Sequence, residues 1–131
     1  MTTRRQLFSA VVFAFLSLAT TAHAQAPYPN KPIKIIVGFT PGGWLDTHAR
    51  VLLEQLQKHL GQPVIIDYKP GAGGSIGADF VIKSPADGYT LLMANTGTMV
   101  INPFVYSNNI YDTLRDFTSS SLALPVAVSF R

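Results

Sequence analysis

Within one stretch of this chain the hydrophobic spacing switches back and forth between two periods, and few architectures accommodate that. Ile33-Lys34-Ile35-Ile36-Val37-Gly38-Phe39 is a short, β-branched, mostly apolar run, as expected of a strand covered on both faces. Over residues 46–60 the period changes. Ala49, Leu52, Leu53, Leu56 and Leu60 recur at three- and four-residue spacing, with Arg50, Glu54, Gln57 and Lys58 on the other face. That is an amphipathic helix, and Gly61 and Pro63 are its stop signals. Val64–Tyr68 is a second strand, residues 76–83 form a shorter helix, and residues 89–94 form a third strand. Asn102-Pro103 and Asn108-Asn109 mark a loop-rich stretch, and residues 121–130 read as the start of a fourth strand. Strands alternating with helices imply βαβ units, a parallel sheet and right-handed crossovers. The expected class is α/β.

Parallel strands end on one edge, so the turn-rich segments 39–46, 69–75 and 95–98 are expected to meet there. Ligands of open α/β sheets bind at that edge. Helices that begin there aim unpaired backbone N–H groups into the crevice, which suits an anion such as a carboxylate. Glycines at 42, 43, 73, 74 and 97 leave room for a ligand to approach the backbone. Any one of them could simply serve a tight turn, but all three loops are small and polar.

The motifs that could carry catalysis are incomplete. Gly73-Gly74-Ser75-Ile76-Gly77 fits the G-x-S-x-G string, so the alternative reading is a small exported serine hydrolase using Ser75. That mechanism needs a tight strand-to-helix turn, and then an acid and a histidine further along the chain. No His follows His59. The run Gly71-Ala72-Gly73-Gly74-Ser75-Ile76-Gly77 also lacks the spacing of a dinucleotide loop, and it follows the second strand rather than the first. His48 and His59 lie about three helical turns apart, too far to share an ion. The chain has no Cys, which removes disulfides, thiolate metal sites and cysteine nucleophiles. No metal and no cofactor is expected.

The N-terminus is an address. Arg4-Arg5 precede the charge-free run from Leu7 to Ala19, and Ala22-His23-Ala24 supplies an A-x-A site. Residues 1–24 therefore read as a signal peptide cleaved after Ala24. The apolar run is shorter than the roughly 20 residues a spanning helix needs, so the mature chain is not expected to be embedded in a membrane. Thr3-Arg4-Arg5-Gln6-Leu7-Phe8 leaves both the general secretory and the twin-arginine routes open. The formal charge of +3 comes from ten Lys+Arg against seven Asp+Glu, and two of those ten are Arg4 and Arg5. The remaining basic residues are scattered singly, without the basic stripe that tracks a phosphate backbone. Nucleic acid is not an expected partner.

An ordered set of motifs spans the rest of the chain. It comprises Tyr28-Pro29-Asn30-Lys31-Pro32-Ile33, Phe39-Thr40-Pro41-Gly42-Gly43-x-x-Asp46, Ala49-Arg50 and Leu60-Gly61-Gln62-Pro63-Val64. Pro70-Gly71-Ala72-Gly73-Gly74-x-x-Gly77 and Pro85-Ala86-Asp87-Gly88-Tyr89-Thr90-Leu91 follow, then Asn102-Pro103, Tyr111-Asp112 and Arg115-Asp116-Phe117. In this respect the chain resembles the periplasmic substrate-binding proteins of tripartite tricarboxylate transporters, the Bug-type receptors. The resemblance implies a periplasmic, two-domain hinged receptor of type II periplasmic-binding-protein-like fold. Such a receptor closes on a small carboxylate and hands it to integral membrane transporter subunits; it is not an enzyme. It also implies ligand contacts from Phe39, Thr40, Gly42, Gly43, Trp44 and Asp46 in the first loop. Gly73, Gly74 and Ser75 would contribute from the second loop, and Thr96, Gly97 and Thr98 from the third.

Two departures qualify the resemblance. Trp44 and Leu45 stand where the family carries small, often hydroxyl-bearing residues; Trp44 is expected to line the pocket and favour a bulkier or aromatic acid. Family members also run to roughly 300 residues in two domains, an ordinary size for such an arrangement. Residues 25–131 are therefore expected to be a truncated N-terminal part of the first domain, with the second missing, binding weakly or not at all alone and exposing apolar surface.

Overall fold

The computed structural model describes residues 27–107, 109–122 and 126–130, with side chains as far as residue 118. The signal peptide and its cleavage site lie outside the described residues. In chain order the elements are β1 (Ile33–Val37), α1 (Trp44–Leu60), β2 (Val64–Tyr68), a short 3₁₀ turn (Ala72–Gly74) that leads directly into α2 (Ser75–Ile82), and β3 (Thr90–Asn95). A π-type helical turn (Gly97–Ile101) then runs into α3 (Asn102–Val105), followed by α4 (Thr113–Asp116), β4 (Thr118–Leu122) and β5 (Val126–Phe130). The strand–helix alternation expected from the hydrophobic spacing is present from β1 to β3.

The sheet order is β2-β1-β3-β5-β4. β1 lies between β2 and β3 and is parallel to both, with Ile35 opposite Ile66 on one side and Leu91 on the other. Because side chains alternate along a strand, β1 feeds two cores. Ile33, Ile35 and Val37 face α1 and cluster with Leu45, Ala49, Val64 and Met93. Ile36 faces the other layer, with Ala78 and Val81 of α2, Leu92 and Ala94 of β3, and Met99, Tyr111 and Phe117. This two-sided burial is why β1 reads as a continuous apolar run rather than an alternating one.

Two expectations change. The fourth strand is instead a pair, β4 and β5, which run antiparallel to each other, and β5 pairs antiparallel with β3. A parallel return would need a crossover of a dozen or more residues, and the link between β4 and β5 is far shorter. The loop-rich stretch after β3 is also largely helical. Pro103 falls in the first turn of α3, where a missing N–H is tolerated, and Asn102 turns its side chain to another loop rather than to its own backbone.

The lead-in is fastened to the entry of β3, at the end of the sheet remote from the three turn-rich loops. Tyr28 donates its hydroxyl to Gly88 O (2.8 Å), and its ring meets Tyr89 edge-on at 5.0 Å. Lys31 pairs with Asp87 at 2.8 Å and lies over the Tyr89 ring.

A close backbone approach fixes the other end. A Cβ on Gly38, just past β1, would stand 2.8 Å from Gly74 Cα. One on Gly77, in the first turn of α2, would stand 2.9 Å from Gly38 Cα. The obstructing atoms are backbone and cannot swing aside. Gly77→Ala should therefore destabilise the fold by about 1–3 kcal/mol, even though Ala is the better helix former by about 1 kcal/mol. A urea unfolding midpoint equal to or above wild type would contradict this.

Candidate ligand-binding edge

The three loops after β1, β2 and β3 converge. Phe39 lies across Gly74, its Cε2 3.2 Å from where a Cβ would be, and a Cβ there would also clash with Thr98 Oγ1. Gly74 takes φ +94°, a left-handed conformation that other residues adopt only with strain. Gly73 O accepts from Thr98 Oγ1 (2.9 Å) and Asn102 Nδ2 (3.0 Å), which ties the second loop to the third. Asn95 Oδ1 accepts from Thr98 N at 2.9 Å and lies 3.1 Å from Thr98 Oγ1. Tyr111 donates its hydroxyl to Thr98 O, and Thr113 Oγ1 donates to Met99 O at 2.6 Å. Buried polar groups are costly unless paired. These pairings hold the loops in one arrangement.

The first loop is braced by Asp46. Its carboxylate is buried, with only 4% of the residue exposed. It accepts from Tyr68 Oη (2.7 Å), from Gly42 N (2.8 Å) and from Arg50 Nε (3.0 Å). Arg50 also donates to Tyr68 Oη at 3.0 Å. The Tyr68 hydroxyl, then the Gly42 N–H, hold the Asp46 carboxyl below the usual carboxylate range, burial opposing them and Arg50 assisting. The same contact with Asp46, followed by burial, pushes the Tyr68 hydroxyl up. One side chain thus links the loop after β1, the first turns of α1 and the end of β2.

What this leaves open is backbone. α1 and α2 both begin at this edge, each preceded by a glycine (Gly43 and Gly74), and neither has a side-chain cap among the described residues. The first N–H groups of a helix have no partner within it, and together with the helix dipole they attract an anion. At α2 the Gly74 and Ser75 N–H groups already donate to Gly71 O and Ala72 O, which leaves α1 the more open start. Thr40, Gly42, Gly43, Trp44, Gly73 and Thr96 are exposed, while Phe39, Ser75 and Gly97 are partly buried. Asp46, Gly74 and Thr98 are buried. Of these, Asp46 and Thr98 spend their side-chain oxygens on the bracing contacts just described.

Sequence reasoning missed Tyr68, Arg50 and Asn102 as parts of this edge, and placed Asn95 in its third loop without a role. Ala49-Arg50 and Asn102-Pro103 were visible as motifs, but their contacts join residues 18 to 29 positions apart. Ser75 Oγ accepts from the Asn102 amide at 3.1 Å. His48 and His59 both lie on α1, each with Nδ1 against the carbonyl four residues back. A separate groove of about 730 Å³, with Met99, Pro103, Phe104 and Leu114 in its lining, holds none of the expected ligand contacts. Exposed apolar side chains gather around it, Phe104 and Leu114 above all.

Comparison with known proteins points in one direction. A family model described as tripartite tricarboxylate transporter family receptor matches residues 48–127. The chain is 40% identical over 116 residues to protein BugT of Bordetella pertussis, an alignment covering 86% of this chain and 36% of BugT. Among solved structures it is similar to Rhodopseudomonas palustris MatC with bound malate, at 34% identity and a TM-score of 0.68, over 70% of this chain and 31% of that one. It is also similar to R. palustris Rpa4515 with adipate, at 39% identity and a TM-score of 0.68, again over 70% and 31%. The chain spans about a third of the length of the curated relatives it matches.

The Asp46 brace has a pH signature. A carboxyl with a folded pKa below its unfolded value stabilises the fold fully above the unfolded pKa, and that contribution fades as pH falls through the folded one. The unfolded value is about 3.9. Asp46→Asn should lower the urea midpoint at neutral pH and flatten its decline below about pH 4. Parallel wild-type and variant curves across that range would contradict the brace.

Proposed function

The chain belongs to the tripartite tricarboxylate transporter receptor family, and from that premise we propose that it captures a small carboxylate for uptake. Members of this family are solute-binding receptors rather than enzymes. The observation that carries the reading is the glycine-led, uncapped start of α1, brought to one edge with the second and third loops. A carboxylate there would accept from backbone N–H groups around Gly43 to Leu45, with the start of α2 beside it. Thr40, Thr96 and the exposed backbone of Gly73 would border it. The malate and adipate held by the two R. palustris proteins are the chemical class this edge suits.

In this reading Asp46, Thr98 and Asn102 serve the ligand indirectly, by fixing the loops whose backbone meets it. A carboxylate placed next to an anion site would ordinarily repel the ligand. Here its charge is balanced by Arg50 and occupied by three internal donors. The proposal includes export to the periplasm, with cleavage after Ala24, and transfer of the ligand to integral membrane transporter subunits. No helix among the described residues is long and apolar enough to cross a membrane.

In hinged receptors the ligand is enclosed between two domains, and the edge described here is one wall. Affinity for a carboxylate at that wall alone is expected near the millimolar range, about −4 kcal/mol. A two-dimensional NMR titration of the chain with malate and with adipate should shift the amides of Gly42 to Leu45 and Gly73 to Ile76 saturably. Neutral diamides of the same acids should leave them in place. Equal responses to acid and amide, or no response at either helix start, would overturn the proposal.

A further inference from the structure

We propose that Trp44, buttressed by His48, is a specificity-determining residue of this edge and turns it towards carboxylates that carry an aromatic ring. The inference rests on the carboxylate reading above and adds to it the class of the ligand's body.

The expected contact residues are small or use backbone, with two large exceptions. Phe39 is committed, since it packs against the core under α1 and lies over Gly74. Trp44 is not committed in this way. It is the first residue of α1, directly after Gly43, and 48% of it remains exposed. Its neighbours fix its position: Leu45 is buried in the core and Asp46 in the brace. Successive residues of a helix are turned by about 100°, so with Leu45 on the sheet and Asp46 towards β2, residue 44 falls on the opposite flank from β2.

The indole is also held. His48, one turn on, meets it edge-to-face with ring centroids 5.3 Å apart and planes at 79°. His48 Nδ1 lies 2.7 Å from Trp44 O. A carbonyl can only accept, so Nδ1 carries the hydrogen and the imidazole is tied to the same turn as the indole. A ring oriented in advance loses little rotamer freedom when a ligand packs on it. Aromatic pairs gain from offset stacking or edge-to-face contact beyond the area they bury. A carboxylate drawn to the start of α1 would bring its body next to residue 44, and a flat ring would gain most from that neighbour. The gain expected from one such pair is up to about tenfold in affinity.

Trp44 is the chain's single tryptophan, so its emission reports on this position alone. The test titrates the full chain with benzoate and phthalate, and with malate and adipate, reading both tryptophan emission and the amide shifts of Gly42 to Leu45. Wild type, Trp44→Ser and Trp44→Phe are compared. The aromatic acids should saturate the amide shifts at about tenfold lower concentration than the aliphatic ones and should change the emission. In Trp44→Ser the ratio of aromatic to aliphatic affinity should fall to about one, and Trp44→Phe should keep most of it. Equal affinities for the two classes in wild type, or a ratio that survives in Trp44→Ser, would overturn the inference while the carboxylate reading stood. If neither class shifts the amides, the receptor reading falls and the inference with it.

Discussion

The contact on which this structure depends most is one in which no side chain takes part. The end of β1 passes beneath the start of α2 so closely that a Cβ on Gly38 or Gly77 would fall within 3 Å of backbone atoms. That approach sets how near α2 lies to the sheet. It also places Gly74 against Phe39 and Thr98. Interiors close-packed to this degree do not yield to an added methyl group, so Gly38 and Gly77 are required by packing, while Gly73 and Gly74 hold positive φ angles that favour glycine. The string that superficially fits a nucleophile elbow has the composition it has for this reason.

Around that contact the polar groups sort into two populations. One braces the loops: Asp46 with Tyr68, Arg50 and the Gly42 N–H, and Thr98 and Asn102 with Gly73 O and Asn95. The other is left open, chiefly the backbone at the start of α1. Satisfying the first population inside the protein is what makes the second available, because a loop held by its own hydrogen bonds need not be ordered by the ligand. On the proposed reading, such an edge would recognise charge through backbone and leave selectivity to the few side chains that project beside it. At this edge Trp44 is the large one.

Legibility in the sequence followed the range of the physics. Period alternation identified β1, α1, β2, α2 and β3, because amphipathicity is written into neighbouring residues. The gathering of three loops at one edge followed from parallel topology alone. The motifs of residues 28–117 indicated the family that the comparisons support. Other features were out of reach. Residues 97–105 looked like a loop from Asn102-Pro103, yet they are helical, with the Asn102 amide bonded to Gly73 and Ser75 across the edge. Nor could the pairing direction of β5 be read from its residues, since a short apolar run is equally at home parallel or antiparallel.

By itself, then, the sequence determined how the strands and helices alternate from β1 to β3 and which loops lie together, since each depends on local periodicity and on the few topologies open to βαβ units. Tertiary structure alone decided what the polar residues in those loops do. Asp46 and Thr98 could equally have faced a ligand. They turn inward because Tyr68 and Gly42 donate to the Asp46 carboxylate, while Gly73 O and Asn95 Oδ1 stand as acceptors for the Thr98 hydroxyl, and a buried polar group is stable only where a partner meets it. Partners of that kind come from other strands and loops, and no local spacing records them.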